Sequence, residues 1–217
     1  MAFEDLSAYS INDAGGYLTI SPDTKVTWAD LPRNVNAFLY KDKGVNHFAG
    51  NFTHRIETQF TGWGVTNYGQ VECWMIANAA TGRKAIIDAG GDCLHFTHEK
   101  GSSAYKFWLQ IYESGVLVDY DSWDSVSLGV AYYVTIVRNE AAGTLTAYIR
   151  TGSHSGPLQD TLVASIGVDN DFRYIYAAGS YNSGHTGEVT GFTRNIDLAG
   201  VIMPIRMHHY KQMQGVS

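Results

Sequence analysis

Residues 106–112 read Lys-Phe-Trp-Leu-Gln-Ile-Tyr, and their spacing could do chemistry. With the two-residue period of a β-strand, Phe107, Leu109 and Ile111 share one face, and Lys106, Trp108, Gln110 and Tyr112 share the other. The first face is core. The second alternates large rings with groups that donate and accept hydrogen bonds. That combination suits a hydroxylated ring such as a sugar, whose C–H faces stack on aromatics while amides and carboxylates take the hydroxyls. The same pairing recurs at 71–77, where alternation sets Glu72 and Trp74 against Val71, Cys73 and Met75, and again at Tyr148 and Arg150. Glu72, Trp74, Trp108, Gln110, Tyr112, Tyr148 and Arg150 are therefore the candidate carbohydrate-binding residues. The competing reading is a second packed layer, in which loops fold over the same side chains.

Other chemistries are poorly served. Asp119 and Asp121 lie two apart in VLVDYDSWD and so share a strand face, but the run heads into a turn-like stretch and reads as a solvated strand end. His95 and His98 are three apart, which on a strand points them to opposite sides and prevents chelation of one ion. The two cysteines, Cys73 and Cys93, cannot build a zinc site alone and read as isolated buried thiols. Fifteen Lys and Arg against 21 Asp and Glu give a formal charge of −6 with no basic run, a poor match to a nucleic-acid backbone or an anionic bilayer. No apolar span is long enough for a membrane. MAFEDLSAYSIND lacks the basic start and apolar stretch of a secretory signal. The expectation is a protein kept in the cytoplasm, released by lysis or carried out on a particle.

These residues need elements to position them. About fifteen strand-like runs recur along the chain, KAIIDA (84–89) among them, separated by turn signals such as Gly15-Gly16, Gly90-Gly91 and Asn182-Ser183-Gly184. Many short strands in a chain of 217 residues, with 14 Tyr, 9 Phe, 5 Trp and only 4 Pro, predict an all-β, two-sheet antiparallel β-sandwich or jelly roll. One domain over 1–200 is expected. The tail 201–217 is apolar enough to pack on that domain or on a neighbouring subunit, as in a homo-oligomer or a particle lattice.

The phrase AYYVTIVRNEAAGTLTAYIRTG (131–152) resembles the hairpin of laminin G-like and pentraxin-like domains, and GEVTGFTRNIDL (187–198) is similar to their closing strand. The resemblance places the chain in the concanavalin A-like lectin and glucanase superfamily. It implies two curved, stacked sheets with a concave face on which sugars commonly bind. It also allows a structural Ca²⁺ held by Asp side chains and loop carbonyls, for which Asp13 and Asp197 are candidates, and requires no other cofactor. The Glu-x-Asp-x-Glu strand of the superfamily's glucanases is absent. Jelly-roll alginate lyases are echoed by Arg55 in HRIETQ, Gln110 to Tyr112 and Tyr181, yet Tyr112, Ala177 and Ser183 replace their His, Lys and Gln. The reading is a lectin-like, non-catalytic glycan-binding module, exposed on a virion or other assembly as a surface or decoration subunit. A polysaccharide lyase and a ligand-free structural subunit are its rivals.

Overall fold

The structure is a computed structural model that describes residues 2–64, 68–102, 104–167 and 171–198. Its strands are β1 (Ser10–Asn12), β2 (Leu18–Ile20), β3 (Lys25–Pro32), β4 (Phe38–Asp42), β5 (Phe52–Trp63), β6 (Gly69–Ala77), β7 (Cys93–Lys100), β8 (Tyr105–Glu113), β9 (Val116–Trp123), β10 (Ala131–Asn139), β11 (Thr144–Thr151), β12 (Leu158–Ser165), β13 (Tyr174–Ser180) and β14 (Glu188–Asp197). A single 3₁₀ turn at Leu6–Ala8 precedes β1, and one short α-helix, α1 (Arg83–Asp88), lies between β6 and β7 among the described residues. Two seven-stranded sheets result, a first in the order β1-β4-β13-β6-β7-β8-β9 and a second in the order β12-β11-β10-β5-β14-β3-β2. Every pairing is antiparallel. The chain is thus the expected all-β, two-sheet antiparallel sandwich. The apolar tail, 201–217, lies outside the described residues.

Period-two alternation builds the core between the sheets. Phe107, Leu109 and Ile111 of β8 are fully buried, as are Val134 and Ile136 of β10 and Leu145, Ala147 and Ile149 of β11. Each such side chain contributes about 1.5–3 kcal/mol when removed from water. The β10–β11 hairpin closes with Asn139 opposite Thr144, and Gly143 supplies the positive φ of 60° that this short connection needs.

Two expectations are corrected. KAIIDA is not a strand: residues 83–88 form α1, which buries Ile86 against Phe38, Met75 and Tyr176 and stops at Gly90, where φ is +72°. Four apolar residues in a six-residue segment do not distinguish a short amphipathic helix from a buried strand. Nor are Asp119 and Asp121 a solvated strand end. Both lie within β9, the edge strand of the first sheet, and reach across to β12, the edge strand of the second. Asp119 Oδ2 accepts from Ser165 N at 2.7 Å and Asp121 Oδ2 from Val163 N at 3.0 Å. Glu113 Oε1 accepts from Gly167 N at 2.7 Å just beyond. These carboxylates occupy backbone donors that an edge strand would otherwise offer to another chain.

Candidate functional site

The outer face of the first sheet carries rows of side chains set by strand register. Glu72 of β6 pairs with Thr97 of β7, Thr97 with Trp108 of β8, and Trp108 with Ser122 of β9. The next row runs Met75, His95, Gln110, Tyr120. Trp108, Gln110 and Tyr112 therefore occupy the face that alternation assigned to them.

Trp74 does not. The β6–β7 register shifts between Glu72 and Trp74, and this bulge at Cys73 reverses the parity of everything after it. Trp74 points into the core, fully buried, with Nε1 donating to His54 Nδ1 at 3.2 Å; Met75, assigned to the core, faces outward beside Phe38 and Tyr176. Tyr148 and Arg150 are corrected as well. They belong to β11 in the second sheet, where Tyr148 is exposed and Arg150 Nη1 donates to Gly156 O at 2.8 Å, pinning the β11–β12 turn.

Glu72 keeps its predicted face but is covered. Arg83, from the first turn of α1, reaches down to it, and the two side chains are only 2% and 1% exposed. Arg83 Nε stands 3.0 Å from Glu72 Oε1, while Nη2 donates to Gln70 Oε1 at 2.9 Å and Nη1 lies 3.3 Å from His95 Nδ1. Burial pushes the Glu72 carboxyl above its ordinary value, and Arg83 opposes that rise. Burial, seconded by the Arg83 charge, holds His95 well below the usual histidine range, so it is neutral, and its ring stacks on Tyr112 at 5.5 Å. The Arg83 guanidinium sits 4.0 Å over the Tyr181 ring, with Arg33 on the same ring at 5.2 Å and Glu99 3.9 Å from Arg33. Over β4, β13 and β6 the packed-layer reading therefore holds.

Over β8 and β9 the face is open. Trp108 is half-buried, Lys106 Nζ lies 5.5 Å over its ring, and the Tyr120 ring stands 5.6 Å away with Tyr120 itself 54% exposed. The Trp108 indole Nε1 is shielded from solvent and has no hydrogen-bond partner among the described residues. This arrangement offers ring faces for stacking and an amide at Gln110. Tyr120 was missed, although alternation with Asp119 and Asp121 in VLVDYDSW carried the signal. Arg33, Arg83 and Tyr181 reach the face from outside the strands that line it; Arg33 and Arg83 left no local signature, and Tyr181 drew attention only as a lyase-like residue.

The remaining candidates are dispersed. Asp197 is buried beside Arg55, Glu57, Tyr133 and His154 in a cavity of about 100 Å³ on the second sheet. Asp13 lines a different cavity at the β1–β2 turn. Ca²⁺ takes six to eight oxygens, and among the described residues no three His, Cys, Asp or Glu converge to hold a metal ion. Asp13 and Asp197 thus lie at separate cavities, and neither has two further His, Cys, Asp or Glu side chains converging on it among the described residues. Arg55, on the second sheet, is across the sandwich from Gln110 and Tyr181, so the lyase-like residues do not share one face. His98 sits in the core between Phe60 and Phe107, on the side opposite His95, as spacing required. Cys73 and Cys93 are free and buried. Among the described residues no helix is long and apolar enough to cross a membrane.

Comparison with known proteins places this architecture. No family model matches the chain, and no curated protein sequence does. Solved structures do. The exoplasmic/lumenal domain of VIP36, in a Ca²⁺/Man-bound form, superposes with a TM-score of 0.53 at 9% identity over 91% of this chain and 85% of its own. A legume lectin-like domain from Entamoeba histolytica gives 0.56 at 8% over 88% and 90%, and a Bacillus licheniformis β-glucanase gives 0.55 at 9% over 90% and 95%. The chain has a concanavalin A-like jelly-roll fold. At these identities the likeness speaks for the fold shared by lectins and glycan-cleaving enzymes, and the chemistry of this chain has to be argued from its own residues.

Proposed function

We propose that the protein binds glycan, without cleaving it, on the open half of the first sheet's outer face. The observation that carries this reading is the Trp108–Tyr120 pair, a half-buried indole beside an exposed phenol ring, with Gln110 alongside. Exposed rings of this kind bind sugar C–H faces, and the neighbouring amide selects hydroxyls. Support also comes from the fold, in which the VIP36 domain is seen in a Ca²⁺/Man-bound form and which the legume lectin-like Entamoeba domain shares. The acids around the face favour binding over hydrolysis, a reaction that needs two carboxyl groups about 5–9 Å apart and free to act. Glu72 is locked beneath Arg83, Glu99 stands by Arg33, and Asp119 and Asp121 hold the β12 backbone.

A glycan array on the wild-type chain identifies a ligand, and Trp108→Ala then weakens its binding by about 1–3 kcal/mol while thermal unfolding stays cooperative. Unchanged affinity, or loss of the folded state, refutes the assignment of Trp108. Incubation with uronate polymers tests the lyase alternative. Steady release of unsaturated product, abolished by Tyr181→Phe, would overturn the non-catalytic reading.

A further inference from the structure

Resting on the glycan-binding reading of the Trp108 face, we infer that its ligand is a linear, neutral oligosaccharide laid lengthwise along β8 and β9, held over several consecutive sugar residues and not by one terminal residue. The shape of the open surface points there. On β7 the outward side chains Cys93, His95 and Thr97 are fully buried, whereas Trp108, Gln110 and Tyr112 of β8 and Leu117, Tyr120 and Ser122 of β9 all keep some exposure. The accessible strip is therefore two strands wide, with axes about 4.8 Å apart, and it follows the strand direction.

Register sets three rows along this strip: Trp108 opposite Ser122, Gln110 opposite Tyr120, and Tyr112 opposite Leu117. The last row depends on a register shift that skips Val118 and brings Leu117, 38% exposed, beside Tyr112. Rings thus stand at both ends of the strip, four residues apart on β8, or about 13–14 Å at the rise of a strand. Stacked rings meet within about 4.5–7 Å of each other's centres, so a single sugar on Trp108 does not reach Tyr112 and a chain of about three residues does. The middle residue of such a chain meets the Gln110 amide and the exposed Tyr120 ring.

A course across the sheet is blocked. Cys93 packs with Ile86 beneath α1, Tyr112 lies against that cluster, and the Tyr112 ring stacks on His95 at 5.5 Å, which holds it in place before any ligand arrives. Beyond Tyr112 the β8–β9 turn is tied down, with Ser114 N donating to Asp92 Oδ1 at 2.6 Å and Gly115 N to Gly91 O at 3.0 Å. At the opposite end Lys106 Nζ meets Asp124 Oδ2 at 2.8 Å, so its charge is already answered. None of the six side chains in the three rows carries a charge, and Asp119 and Asp121 turn away to β12. A neutral chain fits this strip; a uronate or sulfate finds no counter-charge along it.

Titration calorimetry on the full chain tests this, with cello-, xylo-, manno-, malto- and chito-oligosaccharides of one to six residues. In at least one series affinity is expected to rise about tenfold or more from the single sugar to the trisaccharide. Trp108→Ala weakens the whole series. Tyr112→Ala flattens it, so that residues beyond the second add nothing, and Leu117→Asp, at an exposed position, does the same if Tyr112→Ala does not fold. A single sugar bound as tightly as the longest oligomer, a length dependence that survives Leu117→Asp, or tighter binding of oligogalacturonates than of every neutral series overturns this inference and leaves glycan binding at Trp108 standing. Binding of no series, when the glycan array shows a ligand that needs Trp108, does the same. Binding of no glycan by either method refutes both.

Discussion

Removing Arg83 isolates the largest electrostatic commitment in the first sheet. Arg83→Met keeps most of the side-chain volume but deletes the guanidinium that lies 3.0 Å from Glu72, 2.9 Å from Gln70 and 3.3 Å from His95. Breaking a buried pair by deleting one partner costs about 3–5 kcal/mol, because the surviving charge has neither water nor a counter-ion. That cost has a pH signature. Burial already raises the folded-state pKa of Glu72 above its ordinary 4.5, so in the interval above that value the folded chain holds a proton that the unfolded chain has released. Stability is therefore greatest below the unfolded pKa and falls as pH rises through the folded one. Without Arg83 to oppose burial the folded pKa climbs further, and each added unit contributes about 1.4 kcal/mol to the fall. Urea unfolding near pH 7.5 is expected to show a loss of about 3–5 kcal/mol. Near pH 4.5, where the orphaned carboxyl is protonated, about 1–2 kcal/mol remains from Gln70 and His95. Glu72→Gln in the same chain should restore most of the loss at the higher pH. An equal loss at both pH values, or a double variant no more stable than Arg83→Met, would refute the buried-pair reasoning.

Gly191→Ala is expected to lower thermal stability by about 1–3 kcal/mol or more, since a Cβ there would stand 2.2 Å from Gln59 O and 3.0 Å from Trp28 Nε1 at a bulge of β14; an unchanged melting temperature would count against that packing. Hydrogen bonds from Ser165 lower the Asp119 pKa, so its contribution is present above the unfolded value of 3.8 and lost as pH falls through the folded value. Asp119→Asn should flatten the acid limb of a melting-temperature profile, and an unaltered limb would contradict the edge contact. Burial pushes the thiols of Cys73 and Cys93 up to about 12, so native protein should resist an aromatic disulfide reagent at neutral pH and react only on unfolding; fast native labelling would place a thiol at the surface.

How much of this was legible in the sequence depended on parity and distance. Strand β8 was read correctly because nine residues alternate without interruption, and alternation is a local signal. Strand β6 was half read. Glu72 precedes the bulge at Cys73 and Trp74 follows it, and since every residue from Cys73 to Ala77 is apolar, no polar residue marks the change of parity. Tyr148 and Arg150 illustrate a different gap. Alternation says that two residues share a face, not which sheet the strand joins, and that choice rests on pairings such as Tyr148 with Thr135 and Thr161. The cover over the first sheet was hidden because its anchor, Arg83, meets Glu72 across a loop and gains meaning only from that contact.

Strands β13 and β14, the last among the described residues, occupy interior positions in the two sheets. β13 lies between β4 and β6, and β14 between β3 and β5. Before residues 174–197 arrive, the first sheet is two fragments, β1-β4 and β6-β7-β8-β9, and the second is likewise split into β2-β3 and β5-β10-β11-β12. A chain emerging from the ribosome thus exposes four unsealed strand edges, those of β4, β6, β3 and β5, until residues 174–197 have been made. Pairings such as Lys25 with Arg194 then close loops of well over a hundred residues, which places this topology among the slow folders. Its period of greatest exposure to misassembly is biosynthesis itself.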